Sequence, residues 1–336
     1  MTKTRSLLAL TVALLLAVLG AGCGEKEDVL EPGEPQELTV MLDYFPNADH
    51  AGIYASQSTG QFRDAGLDVQ VRQPPDPAAP IKQVAAGRVD IAISYEPEVL
   101  RARDKGLRVV SVGALVRTPL TSIISLPKAK IGGPRDLKGK TVGTAGIDYQ
   151  SAYLKTILEN AGVSSRTVTE RNVGFNLNPA LLTGKVDATL GGFWNYEGTE
   201  LRRRGRDPRI IRMEQAGVPT YDELVLVANE SSLERDEGKL RAFIAALARG
   251  TRELQRAPAN AHALLDANPD LDEGLQRAVI AKTMPYFLPV KGKPFGYQDP
   301  AEWQEFTAWM NENGLLEDTA DATGAFTNDL LPGQGL

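Results

Sequence analysis

Apolar and polar positions along the chain fall into three regimes. An uncharged, mostly apolar run fills residues 6–23, and an acidic stretch without apolar periodicity follows. From Leu38 onward, short apolar runs alternate with helix-spaced ones. Ten of the short runs read as strands: "LTVMLDY", "LDVQVRQ", "VDIAISY", "LRVVSVGAL", "SIISL", "KTVGTAG", "TVTERNV", "VDATLGGF", "RIIRME" and "ELVLVAN". Their lengths and β-branched content are those of sheet strands. Helical stretches such as "APIKQVAAG" and "SAYLKTILENAG" lie between them, and Gly87 and Gly162 suit a left-handed helix end. This alternation predicts an α/β fold with mostly parallel sheets.

A faint repeat organises the strands further. "AAGRVDIAIS" (85–94) and "LTGKVDATLG" (182–191) share a helix end, a glycine, a cation and a Val-Asp that opens a strand. Such similarity arises easily from local capping chemistry, but its position in two successive α/β runs points to two lobes of one design. "SLERDEGKLRAFIAALARGTRELQ" reads as one long amphipathic helix with Leu240, Phe243, Ile244, Leu247, Thr251 and Leu254 on one face. More helices follow, including "PAEWQEFTAWMNENG". The expected organisation is lobe 1 from 38–125 plus 225–336, with lobe 2 from 126–224 inserted. Two crossings, near Ser125 and near Leu224, would form a hinge that closes the lobes on a ligand.

The N-terminus bears on compartment. Lys3 and Arg5 precede "SLLALTVALLLAVLGAGC", whose roughly 15 apolar residues fall short of the roughly 20 a membrane span needs. Residues 1–22 therefore read as a secretory signal. Cys23, the single cysteine, closes "LGAGC", which resembles a bacterial lipobox with Gly20 where Leu is usual. Lipid on Cys23 would anchor the chain to a membrane from outside the cytoplasm; the bland alternative is a cleaved signal beside an incidental cysteine. Residues 23–37 would then be the lipidated cysteine and a disordered acidic tether, able to extend about 45–50 Å. With one cysteine there is no disulfide framework and no second thiol. Removing 1–22 takes the formal charge from −6 to −8, which argues against nucleic acid as a partner.

Ligands of α/β sheets sit outside the carboxyl ends of the strands. Here those ends carry Asp43 and Tyr44, then Tyr95 and Glu96, then Gly146 and Tyr149, and finally "GGFWNYEG" with Gly192, Trp194, Asn195 and Glu197. Aromatics and acids gather there while cations are nearly absent. That favours a flat polar ring, neutral or weakly cationic, held by stacking and edge hydrogen bonds. In "MLDYFPNADHAGIYAS", Asn47 belongs to a turn, Asp49 can cap the following helix, and His50 lies in its first turn. The positive dipole end there favours a neutral imidazole, free to bond either ligand or turn. Other signals are bland: "RRRG" ends a helix, "GGPRDLKGK" lacks phosphate-loop spacing, His262 is a lone helix histidine, and no ligand cluster for a metal is present.

"LDYFPNADHAGIYAS" resembles the Leu-Asp-Trp-x-Pro-Asn-x-x-His-x-Gly-Leu-Tyr-x-Ala opening of the thiamine-pyrimidine-precursor binding proteins. These are periplasmic components of ABC importers, related to fungal pyrimidine synthases and riboflavin-binding proteins. "GGFWNYEG" and "YDELVLVA" are similar to two further stretches of that group, and the resemblance runs from Leu38 to Leu316. It implies a two-lobed type II periplasmic-binding-protein fold, a monomer without cofactor, and as partners a small heterocycle, an ABC permease and its ATPase. Carried over by motif, Tyr44 is the stacking platform, although the family usually has Trp there, and Glu197 meets the amidine edge of an aminopyrimidine. Trp194 either stacks or supports the lobe, Tyr221 either touches ligand or serves the hinge, and each remaining strand-end residue has a structural alternative. A flavin, an alkanesulfonate and a pyrimidine-building enzyme are the competing readings. The sulfonate would want cations in the cleft, and the related enzymes carry a cysteine-rich motif that this chain lacks.

Overall fold

The computed structural model of the chain describes residues 28–30, 33–257, 261–287, 291–317 and 322–333. The expected signal and Cys23 lie outside the described residues.

All ten expected strands form: β1 (Gln36–Met41), β2 (Leu67–Arg72), β3 (Ile91–Ser94), β4 (Val109–Val116), β5 (Thr121–Ser125), β6 (Thr141–Thr144), β7 (Thr169–Asn172), β8 (Ala188–Phe193), β9 (Arg209–Arg212) and β10 (Leu224–Asn229). They build two five-stranded sheets, ordered β2-β1-β3-β10-β4 and β7-β6-β8-β5-β9. The helices that shape the site are α1 (Ala51–Ser58), α2 (Ala79–Ala85), α3 (Glu96–Asp104), α4 (Asp148–Asn160), α5 (Leu177–Leu182), α6 (Glu197–Arg203), α7 (Glu237–Arg256), α8 (Glu273–Thr283) and α9 (Pro300–Glu312).

In each sheet one strand runs against the rest. β10 pairs antiparallel with β3 and β4, and β5 pairs antiparallel with β8 and β9. The reason is topological. β5 and β10 are the strands that begin where the chain arrives from the other sheet. They start at the end where the parallel strands finish, and so they run backwards.

The faint repeat is a structural joint. Gly87 and Gly184 both turn left-handed at φ 65° and 71°. In the first sheet, Thr39 N–H donates to Asp90 Oδ2 at 2.8 Å and Asp90 N–H donates back to Thr39 O at 3.1 Å. In the second, Thr141 N–H donates to Asp187 Oδ2 at 2.9 Å, and Asp187 N–H returns to Thr141 O at 2.8 Å. Each aspartate locks the entry of its strand, β3 or β8, to the parallel strand beside it, β1 or β6.

Three expectations need adjustment. The outgoing crossing lies ahead of Ser125, because β5 already belongs to the second sheet and the chain passes over at residues 117–120. The long helix breaks at Asp236 into Ser232–Arg235 and α7, although the expected apolar face of α7 is buried as a set. The acidic stretch is not all tether. Arg241 Nη2 pairs with Asp28 at 3.1 Å, Leu30 N–H donates to Ala65 O at 3.3 Å, and β1 pairs with β2 from Gln36. Burying Leu30 against the body and pairing the guanidinium of a nearly buried arginine outweigh the solvation of a short acidic segment.

Candidate functional site

The chain leaves β1 at Met41 and reaches α1 through a turn whose polar side chains are nearly all buried. Asn47, and not Asp49, caps the helix start. Its Oδ1 accepts from Asp49 N–H at 2.8 Å, and its Nδ2 donates to Phe45 O at 2.9 Å. Asn47 N–H donates to His50 Nδ1 at 3.2 Å, which leaves the proton on Nε2 to be donated to Asp43 Oδ1 at 2.8 Å. Both ring nitrogens are thus used by the turn, and the ring is the neutral tautomer with Nε2–H. The other oxygen of Asp43 accepts from Tyr95 OH at 2.8 Å. Three side chains, His50, Asp43 and Tyr95, form one network anchored on the Asn47 backbone, and Asp43 and Tyr95 bring it to the cleft.

The opposite wall comes from the ends of β6 and β8. Gln150, near the start of α4, accepts from Ala145 N–H at 2.8 Å. Gly191 sits against it at φ 111°, where an added Cβ would lie 2.4 Å from the Gln150 amide nitrogen, so only glycine fits. Beyond β8 the chain turns back so that Phe193 N–H donates to Glu197 Oε2 at 2.7 Å.

The two walls meet. Tyr44 OH donates to Phe175 O at 2.9 Å, and its ring lies edge-on to Phe175 with centroids 4.9 Å apart. Phe45, which is exposed, packs on the same Phe175 ring at 4.6 Å. Asn195 Nδ2 donates to Asp49 Oδ1 and to Thr283 Oγ1, both at 2.8 Å. α3 and α4 are tied by Asp148, which accepts from Arg101 Nε at 2.8 Å and Lys105 Nζ at 2.6 Å. Burial pushes that carboxyl up, but the two cations pull it below its ordinary value. These contacts join the two walls across the cleft.

Between the walls lies a narrow cavity of about 30 Å³. No Lys or Arg lines it among the described residues. Three carboxyl groups do: Asp43, Asp49 and Glu197. Burial pushes Asp49 up to about 6, against the opposing pull of His50 and its hydrogen bonds. Burial pushes Glu197 up to about 8, with the Phe193 and Glu197 N–H groups resisting and Glu200 adding to the rise. At neutral pH Glu197 is therefore mostly a carboxylic acid, with an O–H to give and a carbonyl to accept. Burial, then the neighbouring Glu197, holds the Tyr44 phenol protonated.

Of the residues expected at the site, Asp43, Tyr44, Asn47, Tyr95, Tyr149 and Glu197 line this cavity. The others stand behind it. His50 orients Asp43, and Glu96 accepts from Asp222 N–H at 2.7 Å, away from the cleft. Trp194 turns its indole to Pro119 O at 3.1 Å and lies under the Arg212 guanidinium at 4.2 Å, which is the supporting alternative. Asn195 spends its Nδ2 on the cross-cleft bonds while its Oδ1 is buried without a hydrogen-bond partner, and Tyr221 packs into the core on Phe306. Gly146 sits between lining Ala145 and Ile147, while Gly191 lines the cavity in place of Gly192. Asp49, Gln150, Phe193 and Tyr196 were not anticipated as lining residues. The last two stood inside "GGFWNYEG" and were legible; Leu177 and Pro77 come from segments with no chemical signal.

The model of the family described as NMT1/THI5 like matches residues 47–261. The chain belongs to that family. Among NMT1/THI5-like proteins, it is similar to the formylaminopyrimidine-binding protein of Halalkalibacterium halodurans, at 35% identity over 94% of this chain and 97% of the relative. A 4-amino-5-hydroxymethyl-2-methylpyrimidine phosphate synthase of Aspergillus parasiticus is 26% identical over 88% of this chain and 87% of its own. Among solved structures, the alkanesulfonate-binding protein SsuA from Xanthomonas axonopodis pv. citri bound to MOPS superposes with a TM-score of 0.68. It is 18% identical and covers 88% of this chain and 99% of its own, so it establishes the two-lobed periplasmic-binding-protein fold alone.

Proposed function

We propose that this NMT1/THI5-like chain is the extracytoplasmic solute-binding component of an ABC importer. It captures an aminopyrimidine precursor of thiamine and does no chemistry on it. The observation that carries the reading is Glu197, a buried carboxyl in a cavity that no Lys or Arg lines among the described residues, with burial raising its proton affinity. An aminopyrimidine presents an exocyclic amine donor beside a ring nitrogen acceptor, and a neutral carboxylic acid offers the two complementary groups in one plane. Tyr44 and Tyr95 supply ring surface at its sides. A sulfonate would favour Lys or Arg in the lining, and none is there among the described residues; the starts of α3, α4, α5 and α6 do reach the cavity, but acidic side chains share it. In the full reading, residues 1–22 are a signal, Cys23 carries lipid, and the two sheets are lobes that close about the crossings and present the ligand to the permease.

The test is mass spectrometry of small molecules released from the purified protein, followed by calorimetry against formylaminopyrimidine, hydroxymethylpyrimidine and riboflavin. Micromolar or tighter binding of an aminopyrimidine is expected. A yellow preparation that releases flavin, or binding of a sulfonate alone, would refute the ligand assignment. Turnover of a bound pyrimidine would refute capture without chemistry.

A further inference from the structure

Glu223 lies in the return crossing, one residue ahead of β10, and is fully buried. Its carboxylate reaches the outgoing crossing. Leu120 and Thr121 donate their backbone N–H groups to Oε2 at 2.6 and 2.7 Å, and the Thr121 hydroxyl donates to Oε1 at 2.8 Å. Tyr221 OH adds a fourth bond at 3.1 Å. Asp222 points the other way, as successive residues of extended chain must. It accepts from Trp303 Nε1–H at 2.8 Å, and its own N–H donates to Glu96 Oε2 at 2.7 Å. One short segment is therefore bolted to the first lobe by residue 222 and to the start of the second sheet by residue 223.

The outgoing crossing is in turn bonded to the ligand wall. Trp194 N–H donates to Leu120 O at 3.0 Å, and its indole N–H donates to Pro119 O at 3.1 Å. Ser122 Oγ donates to Gly192 O at 2.8 Å. Asn195 and Glu197 follow directly in the chain.

We propose that Glu223 is a positioning residue for the cleft: it joins the two crossings into one pivot and, through Leu120 and Trp194, holds the 191–197 wall where a ligand meets it. The sequence hides this role, because Glu223 reads only as the start of the apolar strand in "YDELVLVA". Only its last experimental arm rests on the ligand reading above.

The test compares Glu223→Ala and Glu223→Gln in the full-length chain by amide hydrogen exchange. The glutamine keeps one oxygen for the Leu120 and Thr121 N–H groups. In Glu223→Ala, exchange at Leu120, Thr121, Trp194 and Asn195 is expected to rise about tenfold or more, with β1 and β6 amides within about twofold of wild type. Glu223→Gln restores most of the protection. Affinity for formylaminopyrimidine falls about tenfold in the alanine variant and less than about threefold in the glutamine variant. A rise confined to Leu120 and Thr121 overturns the proposal, and so does a uniform rise through β1 and β6. If Glu223→Ala does not fold, Thr121→Val removes a single bond and must raise exchange at the same four amides by a smaller factor. A wild-type chain that binds no pyrimidine defeats the ligand reading alone, while the exchange results still decide on Glu223.

Discussion

The two walls of the cleft come from sheets of the same design, yet they satisfy their polar groups in opposite ways. On the first wall, Asp43, His50, Asn47 and Tyr95 bond mainly to one another within their own lobe. On the second, Asn195 Nδ2 finds its partners across the cleft, while the Glu197 carboxyl is met by the nearby Phe193 and Glu197 N–H groups. A self-satisfied wall is rigid before any ligand arrives and contributes mostly stability. A wall completed from outside contributes recognition. Mutating the two should therefore separate folding from binding.

The largest effect is expected at Glu197. Glu197→Ala should cost aminopyrimidine binding about 1.5–3 kcal/mol, roughly tenfold to a hundredfold in Kd by calorimetry, with thermal stability retained or raised. Retained stability follows if relief from burying an ionisable carboxyl offsets the Phe193 N–H left without its acceptor. The carboxyl's folded value of about 8 exceeds the ordinary 4.5, so its share of stability is present below 4.5 and is lost as pH rises through 8. Binding should weaken likewise above about pH 8, and Glu197→Gln should flatten that profile. A wild-type Kd unchanged from pH 6 to 9 would count against the acid as donor.

Asp43→Ala should do the reverse. It strands His50 and Tyr95, at about 1–3 kcal/mol for each unsatisfied buried group, read from urea denaturation. A variant that binds poorly while folding normally would erase the contrast between the walls. Tyr44→Ala is expected to be intermediate, losing about 0.5–1.5 kcal/mol of stacking together with the cross-cleft bond to Phe175. Tyr44→Trp should bind at least as well as wild type, since it enlarges the platform. Asn195→Ala should be the mildest for affinity, within about fivefold, while speeding ligand release in stopped-flow measurements. A change in association rate alone would mean the bonds to Asp49 and Thr283 form before binding.

The fold was legible because each strand carried its own signal in length, apolar content and glycine punctuation. Even the repeat at Asp90 and Asp187 marked a real joint. The crossing was misplaced by a few residues because "SIISL" reads as a strand whichever sheet owns it. The site was only half legible. Position after a strand brought out Asp43, Tyr44, Tyr95, Tyr149 and Glu197, but it could not tell a side chain that faces the cavity from one that faces the hinge. Glu96 and Tyr95 are adjacent in sequence and point to different places. Asp49 and Asn47 are equally able to cap by residue type, and geometry alone gives the role to Asn47.

The backward-running strands carry a consequence for how the molecule assembles. The second sheet is built from one unbroken stretch, β5 through β9, whereas β3 and β4 of the first are joined only by β10, more than a hundred residues downstream of β4. Until β10 arrives, both carry open, apolar edges of the kind that pair with the wrong chain. The inserted half should thus fold first and the first sheet last. Pulse-labelled exchange during refolding is expected to protect β6 and β8 before β3 and β4, and the opposite order would refute that sequence of events. A lobe begun early and finished late is most exposed to aggregation in the interval, so the edges of β3 and β4 are where a slow or interrupted folding reaction would fail.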